Sequence, residues 1–458
     1  MSDALSVEDS STPAESTAAA TGKLRSLALK GSFYEILSFG TSQAIRLGGN
    51  LLLTRLLFPE AFGLNALVLI VNQGLVMLSD VGITPGVIQS PKGDDPQFLN
   101  TAWTMHAVRG VCLFLIALVL AWPMSWLYEE PALGPLLAVG SLNVLISGFE
   151  STSLMTLVRR VDARTSMMID LSAQLVSMAL TIVVALFMKS VWALIFGALV
   201  ATTIRTIVSH LIDVGYKNRF AWSPEAAKTI MSFGRWILFS SAVTFAAAQA
   251  DRIFLGKFLG FSELGIYTVA MTLAEAGTIV GTRLTNQVLY PIFSRVHADP
   301  TLDLRSIYYR ARLALDALVL PAAGALCVFA PLLIEFLYDD RYLDAGWMLR
   351  VLVLRVAIAA VVTPSERCLL SMGHAHYTFT KNLIRALWML AALPLGFHLF
   401  GLAGVVWVIA LSELPSLVFL LWAFQRKGLL WVRRELLVPL LFGGGALLAK
   451  LIELPFRW

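Results

Sequence analysis

Charge is what this chain has least of. Of its 458 residues, 14% are charged and 57% hydrophobic, where a soluble domain carries roughly 25% charged residues. That shortfall excludes a soluble globular or multidomain protein. Cysteine is scarce as well. Its three residues, Cys112 and Cys327 inside apolar runs and Cys368 near the end of one, give no disulfide framework and no metal-ligand spacing. No GxxxxGK[ST] loop occurs, which argues against binding and hydrolysis of ATP by the chain itself. The formal net charge is +5, but basic residues cluster between apolar segments rather than along one stripe, so no nucleic acid partner is expected. No short apolar core with a cleavage site precedes the first long apolar run, so no signal peptide is expected.

Long apolar runs fill the chain instead. A membrane crossing needs about 20 mostly apolar residues. Such runs fall at 34–57, 62–86, 100–122, 132–157, 165–188, 191–214, 231–255, 262–290, 306–337, 343–368, 377–400 and 402–425. They predict an all-α polytopic membrane protein with twelve transmembrane helices. A thirteenth run, 436–453, is left open between spanning and lying in the interface. Its three consecutive glycines weaken a helix, and Lys450 and Glu453 shorten the apolar core. Residues 1–22 are polar, small and slightly acidic, and read as a disordered tail.

Basic residues alternate along the links. Lys23, Arg25 and Lys30 in the tail fall on one side, with Arg159, Arg160 and Arg164, then Lys217, Arg219 and Lys228. Arg295, Arg305 and Arg310 join them, as do Arg426, Lys427, Arg433 and Arg434. The intervening links are poor in basic residues. The positive-inside bias therefore places the N-terminus in the cytoplasm.

The central link, roughly 215–230, divides the helices six and six. The expected organisation is a cytoplasmic tail (1–30), an N-terminal six-helix lobe (31–214), a cytoplasmic linker (215–230) and a C-terminal six-helix lobe (231–425). A basic segment with the marginal helix follows (426–458). The halves begin alike: Ser38-Phe39-Gly40 corresponds to Ser232-Phe233-Gly234, and Pro59-Glu60-Ala61-Phe62-Gly63 to Ser262-Glu263-Leu264-Gly265. Two related halves with a site between them near the midplane are a transporter architecture.

Charges inside membrane-length helices are costly and mark polar pathways. In the first helix Gln43, Arg46, Asn50 and Thr54 share one face. That stripe lines a watered cavity or a helix contact. Arg109, Arg205, Arg283, Arg350 and Arg355 lie inside other spans, where some snorkel or pair and others reach a cavity. Arginine suits bidentate binding of phosphate or carboxylate. Arg46, Gln43, Asn50, Arg205, Arg283 and Arg355 are the candidates for binding an anionic solute. Glu275, Asp316 and Glu413 are buried carboxylates, able either to couple transport to a proton or sodium gradient or to neutralise a neighbouring Arg. The adjacent Asp251 and Arg252 form a pair at the interface or line the same path. Gly277-Thr-Ile-Val-Gly281 reads as a helix-packing motif, and His374 and His376 as solvated.

Two stretches carry a family likeness. One runs from Pro59-Glu60-Ala61-Phe62-Gly63-Leu64 through Ser79-Asp80-Val81-Gly82-Ile83 to Val87-Ile88-Gln89. The other combines Asp251-Arg252, Gly256, Gly260 and Leu264-Gly265-Ile266-Tyr267. Both resemble the polysaccharide-transporter (Wzx-type oligosaccharide flippase) family of the multidrug/oligosaccharidyl-lipid/polysaccharide superfamily, and with the helix count the resemblance covers nearly the whole chain. It implies movement of undecaprenyl-pyrophosphate-linked sugar repeat units across the bacterial inner membrane for O-antigen, capsule or exopolysaccharide assembly. It further implies alternating access of two lobes, a cationic cavity around Arg46, Arg205, Arg283 and Arg355, ion coupling without a bound cofactor, and a polymerase and other glycan-assembly proteins as partners. A peptidoglycan-precursor flippase and a drug or small-cation exporter of the same superfamily are the alternatives. A cationic drug would favour an acidic cavity. An envelope glycosyltransferase, polymerase or ligase would need a sizeable outer loop, and the longest here is far short of the roughly 50 residues of a small domain.

Overall fold

The computed structural model describes residues 37–80, 82–160, 162–232, 234–299 and 301–453. The tail over 1–30, with its three basic residues, lies outside them, as do Val81 of the family stretch and Phe233 of the repeated opening. The described chain is helical throughout, joined by short turns. It is an all-α polytopic membrane protein.

The first half comprises α1 (37–56), α2 (Pro59–Leu78), the short α3 (Ile83–Gln89), α4 (Pro96–Leu127), α5 (Leu133–Gly140), α6 (Leu142–Gly148), α7 (Ser153–Arg159), α8 (Ala163–Met188) and α9 (Trp192–Leu211). A linker helix α10 (Pro224–Ser232) leads to α11 (Gly234–Phe258) and α12 (Phe261–Leu284). Next come α13 (Tyr290–Ala298), α14 (Leu304–Leu337), α15 (Ala345–Ser371), α16 (His376–Ala410), α17 (Leu414–Arg426), α18 (Val432–Glu435) and α19 (Leu437–Glu453).

Among the described residues nine helical runs are long and apolar enough to cross a membrane, ten if the bent α5–α7 segment counts as one. The run His376–Arg426 holds two crossings, because Gly401 (φ 58°) folds α16 back on itself and the Trp388 indole donates to the Val408 carbonyl. The two crossings missing from that tally are α1 and α11, the first helix of each half. Both carry polar residues through their length, so they are the helices least able to face lipid.

The run expected at 132–157 is broken after Gly148 and bends by 61°. Broken backbone at membrane depth must find partners. Here Trp103 and His210 both reach the Phe149 carbonyl (3.3 and 2.8 Å), and His106 reaches that of Gly148 at 3.1 Å.

The central link is strapped onto the first half. Asn100, Thr104 and Thr101 of α4 accept from the backbone amides of Arg219, Ala221 and Ser223. Ala226 and Ile230 of α10 then pack with Ile83, Val87, Phe98, Leu99 and Ala102.

The glycines at 443–445 do not interrupt α19, contrary to the weakening expected from them. Two of its neighbours explain why. A Cβ on Gly445 would overlap the backbone of Pro321, and one on Gly324 would overlap the Phe442 carbonyl, so these glycines let α19 lie directly on α14. Glu435 fixes its start, accepting from both terminal nitrogens of Arg312 (2.7 and 2.9 Å). Gly444, by contrast, faces open space. Gly445→Ala is therefore expected to destabilise the protein by about 1–3 kcal/mol through overpacking. Gly444→Ala is expected to stabilise it by up to about 1 kcal/mol through helix propensity. Thermal unfolding in detergent checks both signs.

Candidate functional site

Spacing of three and four residues puts Met271, Ala274, Glu275, Thr278, Thr282 and Arg283 on one face of α12. Opposite them α15 presents Leu352, Arg355 and Val356. Between the two helices is a cavity of about 400 Å³. The charges on its wall are two arginines and one glutamate. Just past Arg283 the helix widens into a π-turn over Thr285–Leu289. Pro291 follows it, lacking an amide hydrogen and crowding the preceding turn, which is the local cause of such a defect.

The polar stripe of α1 meets this cavity at one end. The Arg283 guanidinium lies 4.1 Å from the Phe39 ring centroid, and Phe39 shares the face of Gln43, Arg46 and Asn50. Arg46 is exposed and donates to the Gln43 side-chain oxygen at 2.6 Å. Asn50 lies near the Tyr338 hydroxyl.

Behind the cavity the charges are paired. Arg252 lies 3.8 Å from Glu275 and donates to Gln249 at 3.1 Å, while Gln249 donates to Gln73 of α2 at 2.9 Å. Asp251 is 3% exposed and accepts from the Tyr267 hydroxyl. Asp251 and Arg252 thus engage different partners. Glu413 pairs with Arg385 at 2.9 Å, Glu366 with Lys381 at 2.7 Å, and Arg355 is close enough to act electrostatically on both Arg385 and Glu413.

Arg283, Arg355 and Glu275 therefore share one cavity, with Gln43, Arg46 and Asn50 on the helix beside it and Glu413 one pair behind. Arg205 stands apart in the first half, 3.2 Å from both Glu150 and Asp170. Asp316 also lies elsewhere. It accepts from Arg312 at 3.0 Å in the buried cluster that holds Glu435. Arg109 and Arg350 terminate in local bonds, to Ser79 at 3.0 Å and to the Cys327 carbonyl at 3.2 Å. Residues that sequence reasoning passed over are Arg385 and Glu435; Tyr267 figures there only as part of a family stretch, without its bond to Asp251. Arg385 was detectable as a charge inside a span, mirrored by Glu413 across the Gly401 fold. Among the described residues no group of His, Cys, Asp or Glu could hold a metal ion.

The halves also meet in a cluster of contacts at one end of the molecule. A Cβ on Gly63 would overlap the Phe261 carbonyl, and one on Gly265 the Pro59 carbonyl, so α2 and α12 cross reciprocally at their first turns. Lys257 donates to the Leu127 carbonyl and Glu129 (2.6 and 2.9 Å), and the Tyr128 hydroxyl to the Ile253 carbonyl at 3.3 Å. Arg341, oriented by Asp339, donates to the carbonyls of Thr54 and Arg55 (3.1 and 3.3 Å). Those carbonyls belong to the last turn of α1, which lacks intrahelical partners and attracts a cation. Donation from Arg341 holds the Asp339 carboxyl below its usual range.

A family model described as "Polysaccharide biosynthesis protein" matches residues 52–347. The chain is similar to lipopolysaccharide biosynthesis protein WzxC of Escherichia coli, 22% identical over 359 residues that cover 77% of this chain and 72% of that one. It is similar to the succinoglycan biosynthesis transport protein ExoT of Rhizobium meliloti, 23% identical over 75% of this chain and 69% of that one. Among solved structures it shares the fold of lipid II flippase MurJ in an inward closed conformation, with TM-score 0.69, 12% identity and 92% of each chain covered. An inward-facing MATE multidrug transporter of the MOP superfamily follows at TM-score 0.58 and 14% identity, covering 86% of this chain and 98% of that one.

The division between paired scaffold charges and cavity charges is measurable. Arg312→Ala strips the partner from two carboxylates and is expected to cost about 3–5 kcal/mol of stability. Glu275→Gln, on the cavity wall with 40% of its side chain exposed, is expected to change stability by less than about 0.5 kcal/mol. Thermal unfolding of both variants in detergent checks the contrast, and equal losses would contradict it.

Proposed function

The chain belongs to the polysaccharide biosynthesis protein family, and on that premise we propose that it flips an undecaprenyl-pyrophosphate-linked oligosaccharide repeat unit from the cytoplasmic to the outer leaflet of a bacterial inner membrane. It is a transporter and not an enzyme. The repeat units would feed O-antigen, capsule or exopolysaccharide assembly, with a polymerase and other glycan-assembly proteins downstream. WzxC and ExoT carry lipopolysaccharide and succinoglycan biosynthesis in their names, which supports this substrate class.

The observation that carries the reading is the cavity between α12 and α15. Arg283 and Arg355 supply planar donors matched to a diphosphate. Thr278 and Thr282 offer hydroxyls to the adjoining sugar. Arg46 and Gln43 extend the polar surface across α1. A drug-sized cation would meet two arginines against one glutamate, which disfavours that alternative.

The basic links put the 54–60 and 253–265 turns on the outer side. In that orientation the two six-helix lobes are closed outside by Arg341, Lys257 and the Gly63–Gly265 crossing. Met271, the first cavity residue, lies about 9 Å further along α12. Alternating access would break these outer contacts and re-form them. Glu275, bridging the cavity to Arg252, is the carboxylate placed to couple that change to protons or sodium.

A deletion strain is expected to accumulate lipid-linked oligosaccharide on the cytoplasmic leaflet. Complementation with Arg283→Ala, Arg355→Ala or Arg46→Ala is expected to lower glycan export at least about tenfold, the loss of one charge-assisted hydrogen bond. Normal export in all three would refute the cavity as the binding site. In a cysteine-free background, Glu129→Cys with Lys257→Cys, bridged by a reducible bifunctional thiol reagent of about the span of the native ion pair, is expected to lose export until the link is reduced. Undiminished export by the cross-linked protein would refute opening at this end.

A further inference from the structure

Gly277 and Gly281 resemble a helix-packing pair in sequence, yet they pack against little. A Cβ on Gly277 would meet only Val356 Cγ1, at 3.4 Å, and one on Gly281 only Val319 Cγ2, at 3.9 Å. The contrast with Gly63, Gly265, Gly324 and Gly445 is plain, since each of those abuts backbone. The Gly277 face keeps space open rather than drawing helices together.

That space is an apolar slot of about 270 Å³ between α12, α14 and α15, bordered by Ala274 and Gly277, by Leu318 and Ala322, and by Val353 and Val356. It adjoins the charged cavity, with Ala274 and Val356 common to both walls. A third, nearly closed space of about 10 Å³ shares Thr278, Thr282 and Val356 with the cavity wall and Gly277, Val319 and Val356 with the slot. On the far side of the slot Leu318 is 59% exposed and Ala322 is exposed as well, on a face of α14 that meets lipid in the membrane. An apolar slot facing the bilayer therefore lies wall to wall with the cavity that holds Arg283 and Arg355.

We propose that this slot is a subsite for the apolar chain of the transported lipid. Its first isoprene units lie between α12 and α14 while the diphosphate is held by the two arginines. The inference rests on the transport reading above and adds where the chain leaves the protein. Charge complementarity supplies the head, and the shared wall of the two spaces selects a molecule with an anionic head next to an apolar tail. Water would fill a slot lined this way poorly, since it offers almost no hydrogen-bonding groups. Chain methylenes lose no apolar environment by entering it from lipid, and joining head to tail requires the wall at Ala274 and Val356 to open.

The test uses the full-length protein in nanodiscs, titrated with undecaprenyl diphosphate and, separately, with inorganic diphosphate. Gly277→Leu fills the slot, and Ala322→Trp closes its lipid-facing mouth without touching the core. Each is expected to weaken undecaprenyl diphosphate binding about tenfold, equivalent to roughly two buried methylenes, and to leave inorganic diphosphate binding unchanged. Arg283→Ala and Arg355→Ala are expected to weaken both ligands. A photoreactive residue at Leu318 is expected to label undecaprenyl diphosphate, and to stop labelling it in the Arg355→Ala background. Wild-type undecaprenyl diphosphate binding by a folded Ala322→Trp protein would overturn the slot while leaving the transport reading in place. So would labelling confined to bulk phospholipid. Unchanged binding of both ligands in the arginine variants would overturn the transport reading itself.

Discussion

The reciprocal crossing of α2 and α12 sets the geometry for everything else. Gly63 sits against the carbonyl of Phe261 and Gly265 against that of Pro59, so each helix uses its own glycine to admit the other's first turn. A contact in which two equivalent patches exchange the same interaction is what a twofold relation produces between subunits, and here it occurs within one chain. It explains the similar openings of the second and eighth helices, because only glycine at both positions lets both backbones approach. From that crossing α12 descends with its polar face toward α15, and α2 brings Gln73 to Gln249 of α11.

Paired charge is the second constraint. A charge in a membrane-spanning helix needs a partner or water. The Arg312–Asp316–Glu435 and Arg385–Glu413 clusters satisfy it with partners: their side chains are nearly all buried, and they join elements distant in sequence. Arg283, Glu275 and Arg355 border a cavity as well as neighbouring charge: 40% of the Glu275 side chain is exposed although Arg252 lies 3.8 Å away. The same residue types therefore do different work, and what separates them is whether the surrounding helices close over them or leave a cavity beside them.

That distinction sets the limit of what was legible in the sequence. Apolar runs gave the crossings almost throughout, because hydrophobic length is a local property. The repeated Pro-Glu-x-x-Gly and Ser-Glu-x-Gly openings pointed to the paired helix starts, and helical spacing put Glu275 and Thr282 on one face. Helix rotation and pairing were not local properties. Asp316 and Arg205 looked like cavity residues because folding brings Glu435 onto the Arg312 that pairs with Asp316, and Glu150 and Asp170 onto Arg205, contacts between elements that spacing does not show. The glycines of α19 looked like breakers because Pro321, whose backbone fills the place of a Gly445 side chain, is more than a hundred residues away.

The two halves are alike in path but not in chemistry, and the difference bears on mechanism. In the first half Arg205 is neutralised by Glu150 and Asp170, and the break after Gly148 is sealed by Trp103, His106 and His210. The second half carries the cavity arginines, the Arg252–Glu275 contact and the apolar slot. A solute engaging Arg283 and Arg355 would bind chiefly to one half, with α1 as the face the other half offers. On the transport reading proposed above, binding would draw the halves together on the cavity side by competing with contacts that already hold them at the Arg341 end. A site built mainly on one half could move with that half, so opening outward would require the loss of the contacts between Arg341, Lys257 and their partners, with the Gly63–Gly265 crossing as the pivot.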